Sequence, residues 1–395
     1  MSDGTPEERP DDPLAGLPIF GDLSRALAGQ GVLNWEAARQ FAQMAATGGS
    51  PESNVDPAAR LALNDLAGIA RPHVADVVGA DPDLGDIHAV TRSVWAAETL
   101  EAYRQLFTEL ATALSGGGDA GAAPDVADTD PMAGLMAGLS RMMAPAMLGM
   151  SVGSMVGHLA TTAFGTHELP VPREPSRVTL VPANIDEFAS SWEIPPDEMR
   201  LWVVAHELAG ATLFRADHVR NALSQLVREH VGGFRPDPEA LMDKLGGVDA
   251  EAGAADPMAA LQQMLGDPEM LLGAVTSAEQ RALQPRLDAL VAVVVGYTDW
   301  IVDAVAVRLI GGDALRIAEA VRRQRVAPSV SDSFVEQLLG IRIGDDQVAR
   351  GKAFVQGAVD RSGDHALLPL LTRPDAVPTP AEVDAPGLWL ARLES

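Results

Sequence analysis

The 395-residue sequence predicts a mainly α-helical protein with at most a small β element, on three observations. Apolar residues make up 47% of the chain and aromatics only 4%, so the core must be built from Ala, Val, Leu and Met. Apart from valine these score well for helix and allow helices to pack closely. Helical periodicity recurs along most of the chain, and Arg177–Val181 is the best strand candidate.

Taken in order, residues 1–15 are acidic and Pro-rich, too polar to bury anything, and read as a disordered leader. This start is the opposite of a signal peptide's basic residues and apolar run, which makes a cytoplasmic location the expectation. Residues 16–114 form an N-terminal helical region. A helical period runs from Asp22 to Gln43 on Leu23, Leu27, Leu33, Trp35 and Phe41. Asp56 is placed to cap a second helix with Pro57 at its first position. A third is expected over His88–Leu114, anchored by Val90, Val94, Leu100, Tyr103 and Phe107.

Residues 115–131 read as a flexible linker, and residues 132–395 as the main helical domain, with a flexible insertion near 246–257. No Lys, Arg, Asp or Glu occurs between Met142 and His167, except that Glu168 follows at once. Such a run invites a membrane-spanning reading. However, it is rich in Gly, Ser and Met, contains Pro145 and His158, and has no basic flanking cluster. Small residues at Gly149, Gly153 and Gly157 suit a closely packed internal helix instead. Beyond the strand candidate, helices are expected near Asn184–Trp192, from Pro195 onward, at Pro257–Leu265, Ala278–Ile310 and Gly312–Arg325, before a mixed C-terminal part.

The formal net charge of −26 is spread along the chain. It argues against nucleic-acid binding, which needs a basic stripe, and against docking on anionic lipid. A protein partner would need a basic or apolar contact face. The absence of cysteine excludes disulfides, thiolate zinc sites and cysteine nucleophiles.

The chemistry-bearing stretch is "WVVAHELAGATLF", residues 202–214. In an HExxH helix two histidines four residues apart reach one zinc, and the intervening Glu activates the metal-bound water. Here His206 and Glu207 fit that pattern, and Gly210 stands where the second histidine belongs. A His–Glu pair alone has little specificity and reads first as helical coincidence. His218 and His230 cannot substitute on a continuous helix, because each step turns by roughly 120°. His73, His88, His158, His167 and His365 form no metal-ligand spacing with one another. A second stretch, "LVAVVVGYTDWIVDAVAVRLI" (290–310), carries Asp299 and Asp303 four residues apart in apolar surroundings. Either both aspartates face solvent, or they belong to a site.

Further landmarks are residues 169–209, "FRPDPEALMDKL" (234–245), "VGYTDWIVDAV" (295–305), "SVSDSFVEQLLGIRIGDDQVARGKAFVQGAVDR" (329–361) and the closing 368–393. With them the chain, over roughly residues 140–393, resembles the zincin-like metallopeptidase family common in actinobacteria. Some members of that family are labelled hydrolases or associated with deazaflavin-coenzyme biosynthesis.

The resemblance implies a zincin-like fold with a helical core. It carries His206 onto the first zinc ligand and Glu207 onto the catalytic base. Gly210 falls on the second ligand, Val295 on the third-ligand glutamate and Asp299 on the aspartate that orients the first histidine. Two of three protein ligands are therefore missing, whereas catalytic zinc sites use three. The expectation is a catalytically degenerate protein that binds or scaffolds an unknown protein partner, with no cofactor, and with Asp299 holding a vestigial His206. The alternative is an active zinc-dependent hydrolase with a rearranged ligand set, Asp303 being a possible substitute ligand.

Overall fold

A computed structural model describes residues 31–82, 85–115, 131–173, 177–234, 277–326, 336, 338–363 and 365–395. The expected leader, most of the linker, the insertion near 246–257 and the helix at Pro257–Leu265 lie outside the described residues.

The described chain is helical almost throughout. In order come α1 (Trp35–Thr47), α2 (Pro57–Val78), α3 (Arg92–Ala102), α4 (Arg104–Leu114), α5 (Pro131–Leu159), α6 (Pro182–Ser191), α7 (Pro196–Phe214) and α8 (Asp217–Gly232). They are followed by α9 (Ala278–Leu309), α10 (Ala314–Val326), α11 (Asp345–Ser362) and three short C-terminal helices ending with Pro386–Glu394. The small β element consists of β1 (His88–Ala89) and β2 (Thr179–Leu180), which pair in parallel with His88 opposite Thr179.

Local chemistry explains the boundaries. Asn34 caps α1 by accepting from the Ala37 N–H at 3.0 Å, and Asp56 caps α2 from the Ala58 N–H at 2.9 Å, ahead of Pro57. The helix expected over His88–Leu114 is instead a strand and two helices. Thr91 caps α3, and the chain breaks at Tyr103, whose hydroxyl donates to the Val171 carbonyl at 3.0 Å. That bond satisfies a buried hydroxyl at the junction of α3 and α4.

The charge-free stretch packs as an internal helix. Gly149, Gly153 and Gly157 of α5 lie against the backbone carbonyls of Asn34, the cap of α1, and of Ala38 and Ala42 within it, where any Cβ would collide. Ala38 and Ala42, at this contact, are almost fully buried. Glycines and alanines thus bring two helix backbones together in the way small-residue stripes do. The one described helix long and apolar enough to cross a membrane is α9, and 72% of its apolar window is buried inside the protein.

One hydrophobic core runs from Leu33 to Trp389, so the N-terminal helices and the later ones share an interior. At its centre α7 packs against α2, α6 and α9. From Trp202 to Phe214 only His206 among its residues is not fully buried. A helix apolar all round belongs in the middle of a core, and that places its polar pair, His206 and Glu207, in the interior.

Candidate functional site

Glu207 is 1% exposed and its carboxylate is held by three hydrogen-bonding groups. Thr166 N–H donates to Oε2 at 2.9 Å, and His167 N–H donates to Oε1 at 3.0 Å. The His167 ring completes the set, with Nδ1 2.8 Å from Oε2. His206, the neighbour in sequence, lies farther off, its Nδ1 3.7 Å from Oε1. Burial alone would raise the Glu207 pKa, but the His167 ring, followed by His206, outweighs it and holds the carboxyl down to about 2.

The donors come from the turn after α5, and that turn is pinned from several sides. Asn184 donates to the carbonyls of Ala160 and Ala163 at 2.9 and 2.7 Å, and the Trp95 indole donates to the Gly165 carbonyl at 2.8 Å. Val181 N–H donates to the Phe164 carbonyl at 2.9 Å, and Thr179 N–H to Thr166 Oγ1 at 2.7 Å. The turn is thus docked on β2, which aims two consecutive N–H groups at Glu207. Gly165 allows the approach: a Cβ there would stand 2.5 Å from Glu207 Cδ.

The space beside Gly210 is filled by the His167 ring. A Cβ on residue 210 would come within 2.9 Å of His167 Cγ and 3.2 Å of Cδ2. The ring stacks on Phe214, one helical turn along α7, with centroids 5.7 Å apart and planes at 19°. Sequence spacing missed His167, which makes its contact across 40 residues. The indirect signal was Gly210 itself, because a glycine buried in a helix leaves room for something else.

Val295 and Asp299 lie on α9, facing α7. With His206, His167 and Gly210 they line a cavity of about 30 Å³, the share of one water molecule. Asp299 does not hold His206. Its carboxylate accepts from Arg325 Nη1 at 3.2 and 3.3 Å, in a pair whose side chains are 16% and 19% exposed. Arg325 arrives from α10, whose position the sequence does not encode locally, and a guanidinium outcompetes an imidazole for a buried carboxylate. Asp303 is turned away, bonded to Arg322 at 3.1 Å, with its side chain 41% exposed. It lines neither cavity and is no substitute ligand in this arrangement.

The described residues do not fit a zinc ion. No group of three or more His, Asp or Glu among them is arranged to hold a metal. Gly210 and Val295 offer no donor atom, and Glu207 and Asp299 already spend their oxygens on His167 and Arg325.

A larger cavity of about 240 Å³ opens on the other side of His206. Leu159, Phe164, Trp202, Val203 and Ile343 line it with Glu168, Gln324, Arg325 and Glu336. Trp202 stacks on the His206 ring, centroids 5.5 Å apart. Glu168 accepts the Phe164 N–H at 2.9 Å on one oxygen, and burial pushes its pKa above the usual range against the pull of His206 and Arg325.

The family model for zincin-like metallopeptidases matches residues 33–390. The chain belongs to that family. The match begins at α1, so the family region takes in the N-terminal helices as well as the stretch from about residue 140. The zincin-like chain also matches a crystal structure described as a "putative hydrolase with a novel fold" from Chloroflexus aurantiacus. The TM-score is 0.58 at 20% identity, covering 92% of this chain and 99% of the other, a likeness of fold alone. None of the curated proteins matches the sequence of this zincin-like chain.

Proposed function

We propose that this zincin-like protein has exchanged zinc catalysis for a metal-free site and works as a binding or scaffold protein. One observation carries the reading: the His167 ring fills the space beside Gly210 and closes on Glu207. A general base must accept a proton from a bound water, and geometry comes before pKa in judging it. Glu207 instead receives three N–H groups from the Thr166–His167 turn, and its carboxyl, held near pH 2, is a poor proton acceptor at neutral pH. The surviving polar residues then serve the fold, tying the turn after α5 to the central helix.

The alternative, an active hydrolase with a rearranged ligand set, draws support from His206 and Asp299 lining one small cavity. It requires Asp299 to leave Arg325 and His167 to leave Glu207.

Zinc content decides between the two. The full chain, purified without chelator, is expected to carry no stoichiometric zinc by plasma emission. Tightly held zinc at one per chain overturns the proposal, as does a peptide- or ester-cleaving activity lost both in Glu207→Gln and on chelation.

A further inference from the structure

The cavity of about 240 Å³ beside His206 changes character with depth. Its floor is formed by Leu159, Phe164, Trp202, Val203, Val321 and Ile343, each at most 8% exposed. Glu207 is the one buried polar residue in the lining, and its oxygens are taken by the Thr166–His167 turn. The half-buried residues, which form the mouth, are all polar except Leu169. An apolar floor below a few polar groups is the anatomy of a small-molecule site. Protein interiors also leave few voids larger than a water, so a space of this size is suited to an occupant.

The charges at the mouth are answered within the protein. Arg325 donates to Asp299 at 3.2 and 3.3 Å. Glu168 accepts the Phe164 N–H at 2.9 Å, and both His206 and Arg325 act on its charge. Glu336 is also engaged by an interaction of its own. A ligand bearing a net charge would therefore enter without a spare ion of opposite sign to meet it, and burying such a charge is costly. An uncharged ligand avoids that cost and still gains from the apolar surface it covers.

We infer that this cavity binds an uncharged small molecule, built of one aromatic ring or a short branched chain, with at most one neutral polar group. The apolar body lies on the floor formed by Phe164, Trp202, Val203 and Ile343, and the polar group stays at the mouth. The volume corresponds to roughly eight waters, and apolar cavities of about 150 Å³ already accept benzene. This inference rests on the metal-free reading above, since a metal held at His206 would add an unanswered positive charge to the mouth and favour an anion.

The test is a titration of the full chain followed by ligand-observed NMR, with EDTA present. The probes are benzyl alcohol, benzylammonium and benzoate, which share nearly one shape and differ in charge. Benzyl alcohol is expected to bind saturably, and each charged probe at least roughly tenfold more weakly. Val321→Trp and Ile343→Trp each put a ring into the floor and weaken benzyl alcohol by a similar factor. Far-UV circular dichroism identifies a variant that has failed to fold, and the other variant and the three probes then carry the test. Absence of binding by benzyl alcohol and isoamyl alcohol, with or without added zinc, overturns the inference. A charged probe that binds as tightly as benzyl alcohol overturns it too, as does unchanged binding in a folded floor variant. Benzoate binding that appears only with added zinc, beside benzyl alcohol binding in EDTA, supports the inference and overturns the metal-free reading instead.

Discussion

The Cγ of His167 lies 2.9 Å from the point where residue 210 would carry a Cβ, so the ring and the missing side chain occupy the same space. Gly210→Ala is therefore expected to destabilise the protein by about 1–2 kcal/mol, although alanine in place of glycine inside a helix ordinarily gains up to ~1 kcal/mol. In a His167→Ala background the clash falls to the remaining Cβ contact at 3.1 Å, and the same substitution becomes close to neutral. A double-mutant cycle by urea denaturation measures the coupling. Additive effects of the two changes would contradict the packing.

Glu207 makes stability depend on acid. Its pKa falls from the ordinary 4.5 to about 2 on folding, so its contribution is complete above pH 4.5 and is lost as the pH drops towards 2. The contribution is on the order of 3 kcal/mol. Urea unfolding of wild type and Glu207→Gln between pH 7 and pH 2.5 checks this. The difference between them is expected to shrink steadily below pH 4.5; a constant difference would show that the carboxylate's charge is not what matters.

Gly153→Ala is expected to cost about 1–3 kcal/mol, because the new methyl meets the Ala38 carbonyl, a backbone atom that cannot swing aside. Met143→Ala at the exposed start of the same described stretch should change stability by less than about 0.5 kcal/mol. Thermal unfolding of the two variants gives the contrast. Equal tolerance at both positions would mean that α5 does not pack against α1 through its glycines.

Asp299 and Arg325 form a mostly buried pair, so removing one partner strands the other. Arg325→Gln is expected to destabilise by about 3–5 kcal/mol, and Asp299→Asn by a similar amount. The proton resonances of the His206 ring provide the sharper measurement. Asp299→Asn is expected to disturb them less than Glu207→Gln does, since Asp299 bonds Arg325 and not His206. The reverse order would restore the histidine–aspartate pairing that the motif spacing suggests.

What the sequence made legible was whatever short-range chemistry determines. Asp56 and Pro57 announce the start of α2, the spaced glycines of α5 announce a close helix contact, and Thr179–Leu180 lies inside the expected strand. Missed features depend on partners distant in sequence. The helical period breaks at Tyr103, where the hydroxyl bonds Val171, 68 residues away. Asp299 sits at the right spacing for a histidine partner, yet Arg325, 26 residues farther on, takes it. At the candidate site the family resemblance drew attention to Gly210 and Val295 but not to the ring that fills the space beside Gly210. His167 lies in no motif, and only the folded turn on β2 brings it to Glu207.

Because the His167 ring fills the space beside Gly210, a side chain at 210 and that ring exclude one another. A histidine placed at 210 meets His167, and a glutamate placed at 295 enters a cavity of about 30 Å³ already lined by Glu168 and Asp299. Removing His167 first strips Glu207 of its closest hydrogen-bond partner, 2.8 Å away. Each such single change disturbs the packing or the hydrogen bonds of the fold on its own. The His167–Glu207 contact thus makes the absence of a side chain at 210 a requirement of the packing.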